Sequence, residues 1–194
     1  MIVPPLSPAA PRWGNPVSRG FGRAAMRLLG WRMTGTVPDV PKLVAIAAPH
    51  TCSLDVVLGI IVLLALGARV NWLAKHTTFR GPQAILLRWV GAISVNRAAP
   101  ASLVRDVIER MRREDRIFLA LAPEGTRRKV ERWKSGFYRI ALAAGVPILP
   151  VALDYSRRIV EIGTPFMPTG DYEADLSCLQ SFFRPEMARH PERF

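Results

Sequence analysis

The segment Pro49-His50-Thr51-Cys52-Ser53-Leu54-Asp55 holds an imidazole, a thiol, a hydroxyl and a carboxylate close together. If a tight turn folds His50 and Asp55 to the same side, the carboxylate accepts a hydrogen bond from one ring nitrogen. That fixes the tautomer and leaves the other nitrogen basic, which makes a general base with its orienting group. Cys52 and Ser53 are rival nucleophiles, but the backbone between either one and His50 is too short to orient both groups for attack. Cys52 is more simply a small loop or core residue and Ser53 a helix cap, and no Gly-x-Ser-x-Gly elbow supports the serine. The pair lacks only a nucleophile, and a substrate hydroxyl can supply it.

A second constellation lies downstream. Glu124-Gly125-Thr126-Arg127-Arg128-Lys129 offers a glycine that permits an unusual turn, a hydroxyl and three successive cations. Arg127 suits bidentate phosphate binding, and Glu124 is placed to hold it. Alone, this is equally a solvated charged loop.

Elements of alternating type must position these residues. Apolar runs at Leu43–Ala48, Val70–Ala74, Ile93–Asn96, Ile117–Leu121 and 146–154 read as strands, with a last one over Arg158–Ile162. Helical patterns fall at Ser53–Leu66, Pro82–Val90, 100–115 and 134–145, with one short helix near the C-terminus. This alternation predicts an α/β class, a single domain with a mostly parallel sheet flanked by helices. Ligands bind such folds beyond the carboxyl ends of the strands. The loops carrying His50, Arg97 and Glu124–Arg127 should therefore converge on one sheet edge.

The bulk properties narrow the partners. Twenty-seven basic against 15 acidic residues give +12, which favours nucleic acid, anionic membranes or phosphorylated ligands. The arginines are scattered and no nucleic-acid motif appears, so nucleic acid is not expected. Cys52 and Cys178 suggest neither a disulfide framework nor a metal site. Val56–Ala68 is too short for the roughly 20 residues of a membrane span. Residues 17–32 nonetheless form an amphipathic pattern. Val17, Phe21, Ala24, Leu28 and Trp31 share one face and Arg19, Arg23 and Arg27 the other, as in a helix lying at a membrane interface or one packed on its own domain. Gly20, Gly22 and Gly30 weaken that helix. The expected organisation is a flexible proline-rich start (1–16), this membrane-associating helix (17–32) and the main domain (33–194, core motifs 47–154).

In order along the chain stand His-x-x-x-x-Asp (His50 to Asp55), Gly-Ala-Ile-Ser-Val-Asn-Arg (Gly91 to Arg97), Pro-Glu-Gly-Thr-Arg (Pro123 to Arg127) and Val-Pro-Ile-Leu-Pro-Val (Val146 to Val151). Together they resemble the four blocks of the glycerolipid acyltransferases, the 1-acylglycerol-3-phosphate (lysophosphatidate) acyltransferase family. The resemblance covers roughly residues 40–155, and it implies an acyltransferase in phospholipid biosynthesis. His50 deprotonates the acceptor hydroxyl, which attacks an acyl thioester, and Asp55 orients His50. Arg127 with Glu124, Gly125 and Thr126 binds the acceptor's phosphate, Arg97 adds charge there, and Pro147 and Pro150 line the acyl and donor path. It implies no metal or prosthetic group. Acyl-coenzyme A or acyl carrier protein is the co-substrate, a lysophospholipid the acceptor and phosphatidate the product. The protein would be peripheral, or monotopic, on the cytoplasmic face of a bacterial-type membrane. Ala122 and Ser94 depart from the family pattern, where Phe and an apolar residue are common, which leaves acceptor and chain preference open. Another lysolipid or an ornithine-type lipid is the alternative acceptor. A thioesterase using Cys52 or Ser53, or a non-catalytic lipid-binding module, are the alternatives to transfer.

Overall fold

The computed structural model describes residues 3–95 and 100–194. Seven strands, β1 (Arg32–Thr34), β2 (Lys42–Ala47), β3 (Val70–Lys75), β4 (Ala92–Val95), β5 (Ile117–Leu121), β6 (Ile148–Asp154) and β7 (Ile159–Ile162), form one sheet in the order β1-β7-β6-β2-β5-β3-β4. Every neighbouring pair is parallel except β6–β7, as the strand–helix alternation predicts. The helices are α1 (Pro16–Leu28), α2 (Leu54–Leu66), α3 (Gln83–Trp89), α4 (Pro100–Arg113), α5 (Gly136–Ala144) and α6 (Tyr172–Gln180).

Because side chains alternate along a strand, each central strand feeds two cores. Leu43 of β2, Phe118 of β5 and Leu149 of β6 pack with Met26 of α1 and with Leu58 and Val62 of α2. Val44 and Ile46, Leu119 and Ile148 point the other way, to Val107 and Met111 of α4, Ile140 of α5 and Leu176 of α6. α1 and α2 thus cover one face of the sheet, and α4, α5 and α6 the other.

The N-terminal region adds three details to the sequence pattern. Residues 3–15 lie against the domain. Val3 and Ala10 are buried, Trp13 N–H donates to Gly67 O at 2.8 Å, and Ser7 Oγ reaches Pro38 O at 2.9 Å, so the prolines lay an extended segment onto the domain. The first helix ends at Leu28, and Trp31 lies outside it, buried, just before an edge strand that the sequence reading missed. The arginines of α1 also have a local task. Arg23 Nε donates to Ala65 O at 3.2 Å, and Arg19 lies along Gly67, so both sit at the negative C-terminal end of α2.

Gly22 is the reason α1 can lie so close to α2. A Cβ at Gly22 would sit 2.4 Å from the Ala65 backbone nitrogen, so the glycine is a contact point and not a weakness. Gly22→Ala gains about 1 kcal/mol of helix propensity but costs about 1–3 kcal/mol in overpacking. The urea midpoint should therefore fall, and a rise would contradict the close approach.

Candidate active site

Strand register explains why distant residues meet. Ile46 of β2 pairs with Leu121 of β5, and Ala47 of β2 pairs with Val151 of β6. Leaving three adjacent strands at the same edge, the chain then delivers His50 four residues past Ile46, Glu124 three past Leu121, and Tyr155 one past the end of β6.

Asp55 is the hub. It stands in the first turn of α2, 5 % exposed, and receives five donors. His50 Nδ1 lies 3.1 Å from its Oδ2. Thr51 N–H and Cys52 N–H donate to the same oxygen at 2.9 and 3.0 Å. The Cys52 thiol and the Tyr155 hydroxyl donate to Oδ1 at 3.0 and 2.7 Å. Burial opposes ionisation, but hydrogen bonds from His50, Cys52 and Tyr155 outweigh it and hold this carboxyl well below the usual carboxylate range. Asp55 is therefore a fixed anion. It holds the imidazole through Nδ1 and leaves Nε2 directed away from the carboxylate. The imidazole is one-fifth exposed, and Nε2 has no hydrogen-bond partner among the described residues.

The rival nucleophiles are placed otherwise. Cys52 directs its thiol to Asp55, 3.9 Å from the Tyr155 hydroxyl, and has no bond to His50. Ser53 stands at the start of α2, exposed, without the side-chain capping bond expected of it. The Val56 N–H donates to the Ser53 backbone carbonyl at 3.3 Å instead.

Glu124 departs from expectation. It is 4 % exposed, and both its oxygens lie 3.1 Å from the His50 backbone N–H. No ion pair joins it to Arg127 among the described residues, because the carboxylate turns inward to the loop that carries His50. Gly125 takes φ +66° in a tight turn closed by its N–H on Ala122 O at 3.0 Å. A side chain at Gly125 would collide with Lys134, whose Nζ lies 2.9 Å from the Cβ position. Thr126 is half-buried and Arg127 exposed, next along the same loop. Arg97 lies outside the described residues.

Burial raises the Glu124 carboxyl from 4.5 to about 7, against the opposing pull of the His50 N–H and imidazole. Between those values the folded protein keeps a proton that the unfolded chain releases. Stability should thus fall as pH rises through this window, by on the order of 3 kcal/mol in full. Urea midpoints across pH 4–8 should show this slope reduced in Glu124→Gln, and an unchanged slope would contradict it.

Pro147 does not come to this edge. Ile148 pairs with Val44, so Pro147 stands beside the start of β2, about 13 Å of strand away from Ala47. Pro150 is buried in mid-sheet against Gly163. β6 runs parallel to β2, so Pro147 stays at its far end and Pro150 lies level with Ile46; beyond them the strand delivers Tyr155, which carried no motif signal. The Tyr155 ring packs edge-on against Trp31 at 5.1 Å, with Arg189 5.9 Å from its centre. Residues 185–194 complete the surround. Met187 O accepts from Tyr155 N–H, His190 N–H donates to Thr51 Oγ1 at 3.3 Å, and Arg193 reaches Thr51 O at 3.4 Å.

A family model described as Acyltransferase matches residues 31–154. The chain belongs to the acyltransferase family. The match bears out the resemblance of the four blocks, and it ends one residue before Tyr155. No curated protein matches. Among solved structures the chain is similar to the 1-acyl-sn-glycerophosphate (LPA) acyltransferase PlsC from Thermotoga maritima, with TM-score 0.61 and 22% identity over 86% of this chain and 75% of that one. At that identity the likeness speaks for the fold, and it places this acyltransferase in the same architecture.

Tyr155 is the added member of the site. In this acyltransferase Tyr155→Phe should lower kcat about 3–10-fold with KM nearly unchanged, since one of five bonds on the orienting carboxylate is lost. A rise in KM alone would assign the tyrosine to substrate binding.

Proposed function

We propose that the protein transfers a fatty acyl group from an acyl thioester to the free hydroxyl of a lysophospholipid, with 1-acylglycerol-3-phosphate as acceptor and phosphatidate as product. The observation that carries this is the His50 imidazole, held through Nδ1 on a fixed Asp55 anion with Nε2 free, tied by Glu124 to the loop bearing Arg127.

His50 Nε2 takes the proton as the acceptor oxygen attacks the thioester carbonyl. A C–O bond forms, the C–S bond breaks, and the departing thiolate receives the proton from the imidazolium. The enzyme forms no bond to the acyl group. Arg127, with Thr126 and the Gly125 turn, grips the phosphate, and Arg97 adds charge there. Glu124 supports the arrangement from behind by holding the His50 backbone.

The acceptor is reached from a membrane surface. Val17, Phe21 and Leu28 of α1 are 80, 66 and 88 % exposed, and Leu54 and Val57 of α2 are about half exposed. This apolar band is suited to sit among acyl chains. No helix of the described residues is long and apolar enough to cross a membrane, so attachment is peripheral in this reading, on the cytoplasmic face.

The test is an acceptor panel. Purified protein is given palmitoyl-coenzyme A or palmitoyl-acyl carrier protein with lysophosphatidate, other lysolipids and an ornithine lyso-lipid in mixed vesicles, and products are read by mass spectrometry. Diacyl product greatest with lysophosphatidate supports the proposal. Preference for another acceptor changes the substrate, and product from none overturns the activity.

A further inference from the structure

Residues 185–194 match none of the four blocks, yet they lie against the sheet edge where His50 and Asp55 meet. Two short 3₁₀ turns, Pro185–Met187 and Pro191–Arg193, shape the segment. Each opens on a proline, whose ring fixes the backbone angle that the first turn position needs. Met187 and Ala188 are 1 and 5 % exposed, so the segment is tied to the core and not merely laid on the surface.

At one remove, this segment reaches both oxygens of the Asp55 carboxylate. Met187 O accepts from the Tyr155 N–H at 2.9 Å, and the Tyr155 hydroxyl donates to Oδ1. Three residues on, His190 N–H donates to Thr51 Oγ1 at 3.3 Å, and Arg193 Nη1 donates to Thr51 O at 3.4 Å. Both bonds are long and individually weak, but they act on one residue. Thr51 is 1 % exposed, and its own N–H donates to Asp55 Oδ2 at 2.9 Å, so all three of its polar groups are engaged. The Thr51 carbonyl also shares a peptide with the Cys52 N–H, which donates to Oδ2 at 3.0 Å. A cation on that carbonyl polarises the peptide and strengthens its N–H as a donor. A continuous line of bonds thus runs from Arg193 through the Thr51–Cys52 peptide to Asp55 Oδ2, which lies 3.1 Å from His50 Nδ1.

We infer that Thr51 and Arg193 are positioning residues for acyl transfer. Residues 187–193 clamp the Thr51–Cys52 peptide and Tyr155, and so hold the Asp55 carboxylate, and with it the His50 imidazole, in reacting geometry. The inference rests on the acyl-transfer reading and adds to it two residues that act through Asp55 and not on the substrate. A reacting group misplaced by about 1 Å can cost on the order of 10²-fold in rate, and the clamp limits that displacement.

The test compares Thr51→Val, Thr51→Ser, Arg193→Ala and Arg193→Lys with wild type, using palmitoyl-coenzyme A and lysophosphatidate. Valine keeps the shape of Thr51 but removes the oxygen that accepts from His190, whereas serine keeps that oxygen. Thr51→Val should lower kcat about 5–50-fold and Arg193→Ala about 3–10-fold, each with acceptor KM within about twofold. Thr51→Ser and Arg193→Lys should recover most of the loss. Amide hydrogen exchange, read by mass spectrometry on the peptide holding Thr51 and Cys52, should quicken about tenfold in Thr51→Val and Arg193→Ala. Arg193 is exposed, so its variants decide the matter should Thr51→Val fail to fold. Unchanged kcat or unchanged exchange in Arg193→Ala, a loss that falls on KM alone, or equal losses in the serine and lysine variants would each overturn the inference. The exchange arm needs no turnover. Quickened exchange with no product from wild type would therefore leave the clamp standing and count against the acyl-transfer reading alone.

Discussion

His50→Ala should lower kcat/KM for acyl transfer by about 10²–10⁴-fold, the loss typical of a missing general base. The fold should survive. The imidazole is partly exposed, and Asp55 keeps four donors without it: the Thr51 and Cys52 amides, the Cys52 thiol and the Tyr155 hydroxyl. Matching unfolding midpoints for variant and wild type would separate lost chemistry from lost structure. Since the imidazole acts on the proton and not on the phosphate, acceptor KM should change little. Residual activity within tenfold of wild type would remove His50 from the mechanism.

Asp55→Asn should cost about as much, 10²–10⁴-fold, by a different route. The amide oxygen can still face His50 Nδ1, but a neutral acceptor no longer stabilises the imidazolium. The new NH₂ falls where the Cys52 thiol and Tyr155 hydroxyl now donate, so one of them must turn to accept. Stability should respond to pH as well. The folded carboxyl loses its proton below the ordinary 3.8, so its ionic contribution is present above that value and drains away as pH falls through the folded range. Asp55→Asn should remove this part of the acid limb of the unfolding curve. A full acid limb in the variant would assign it to other carboxylates, such as Asp154 and Asp175, which are also held low.

Where a side chain's task is set by chain-local geometry, the sequence announced it. His50 and Asp55 are joined by one turn, and their pairing followed from spacing alone. The strands β2, β5 and β6 were legible as apolar runs, and so was the convergence of their loops. Register was not. Only the pairing of Ile46 with Leu121 turns Glu124 toward the His50 amide and away from Arg127. Only the direction of β6 takes Pro147 to the far edge and brings Tyr155 to Asp55. The 17–32 pattern had the right period, yet Trp31 was drawn into the core against Tyr155. Gly22 looked like a defect because the partner that needs its missing side chain, Ala65, is distant in sequence.

In the proposed reaction the acceptor's own hydroxyl is the nucleophile, activated by His50, and no acyl group passes through Cys52 or Ser53. The direct measurement follows thiol release from palmitoyl-coenzyme A by the wild-type protein, with and without lysophosphatidate, alongside intact-protein mass. Release should be matched one for one by phosphatidate when the acceptor is present, with only background release without it and no acylated protein at any time. Acceptor-independent release that disappears in Cys52→Ala or Ser53→Ala, or a palmitoyl adduct on either residue, would contradict it.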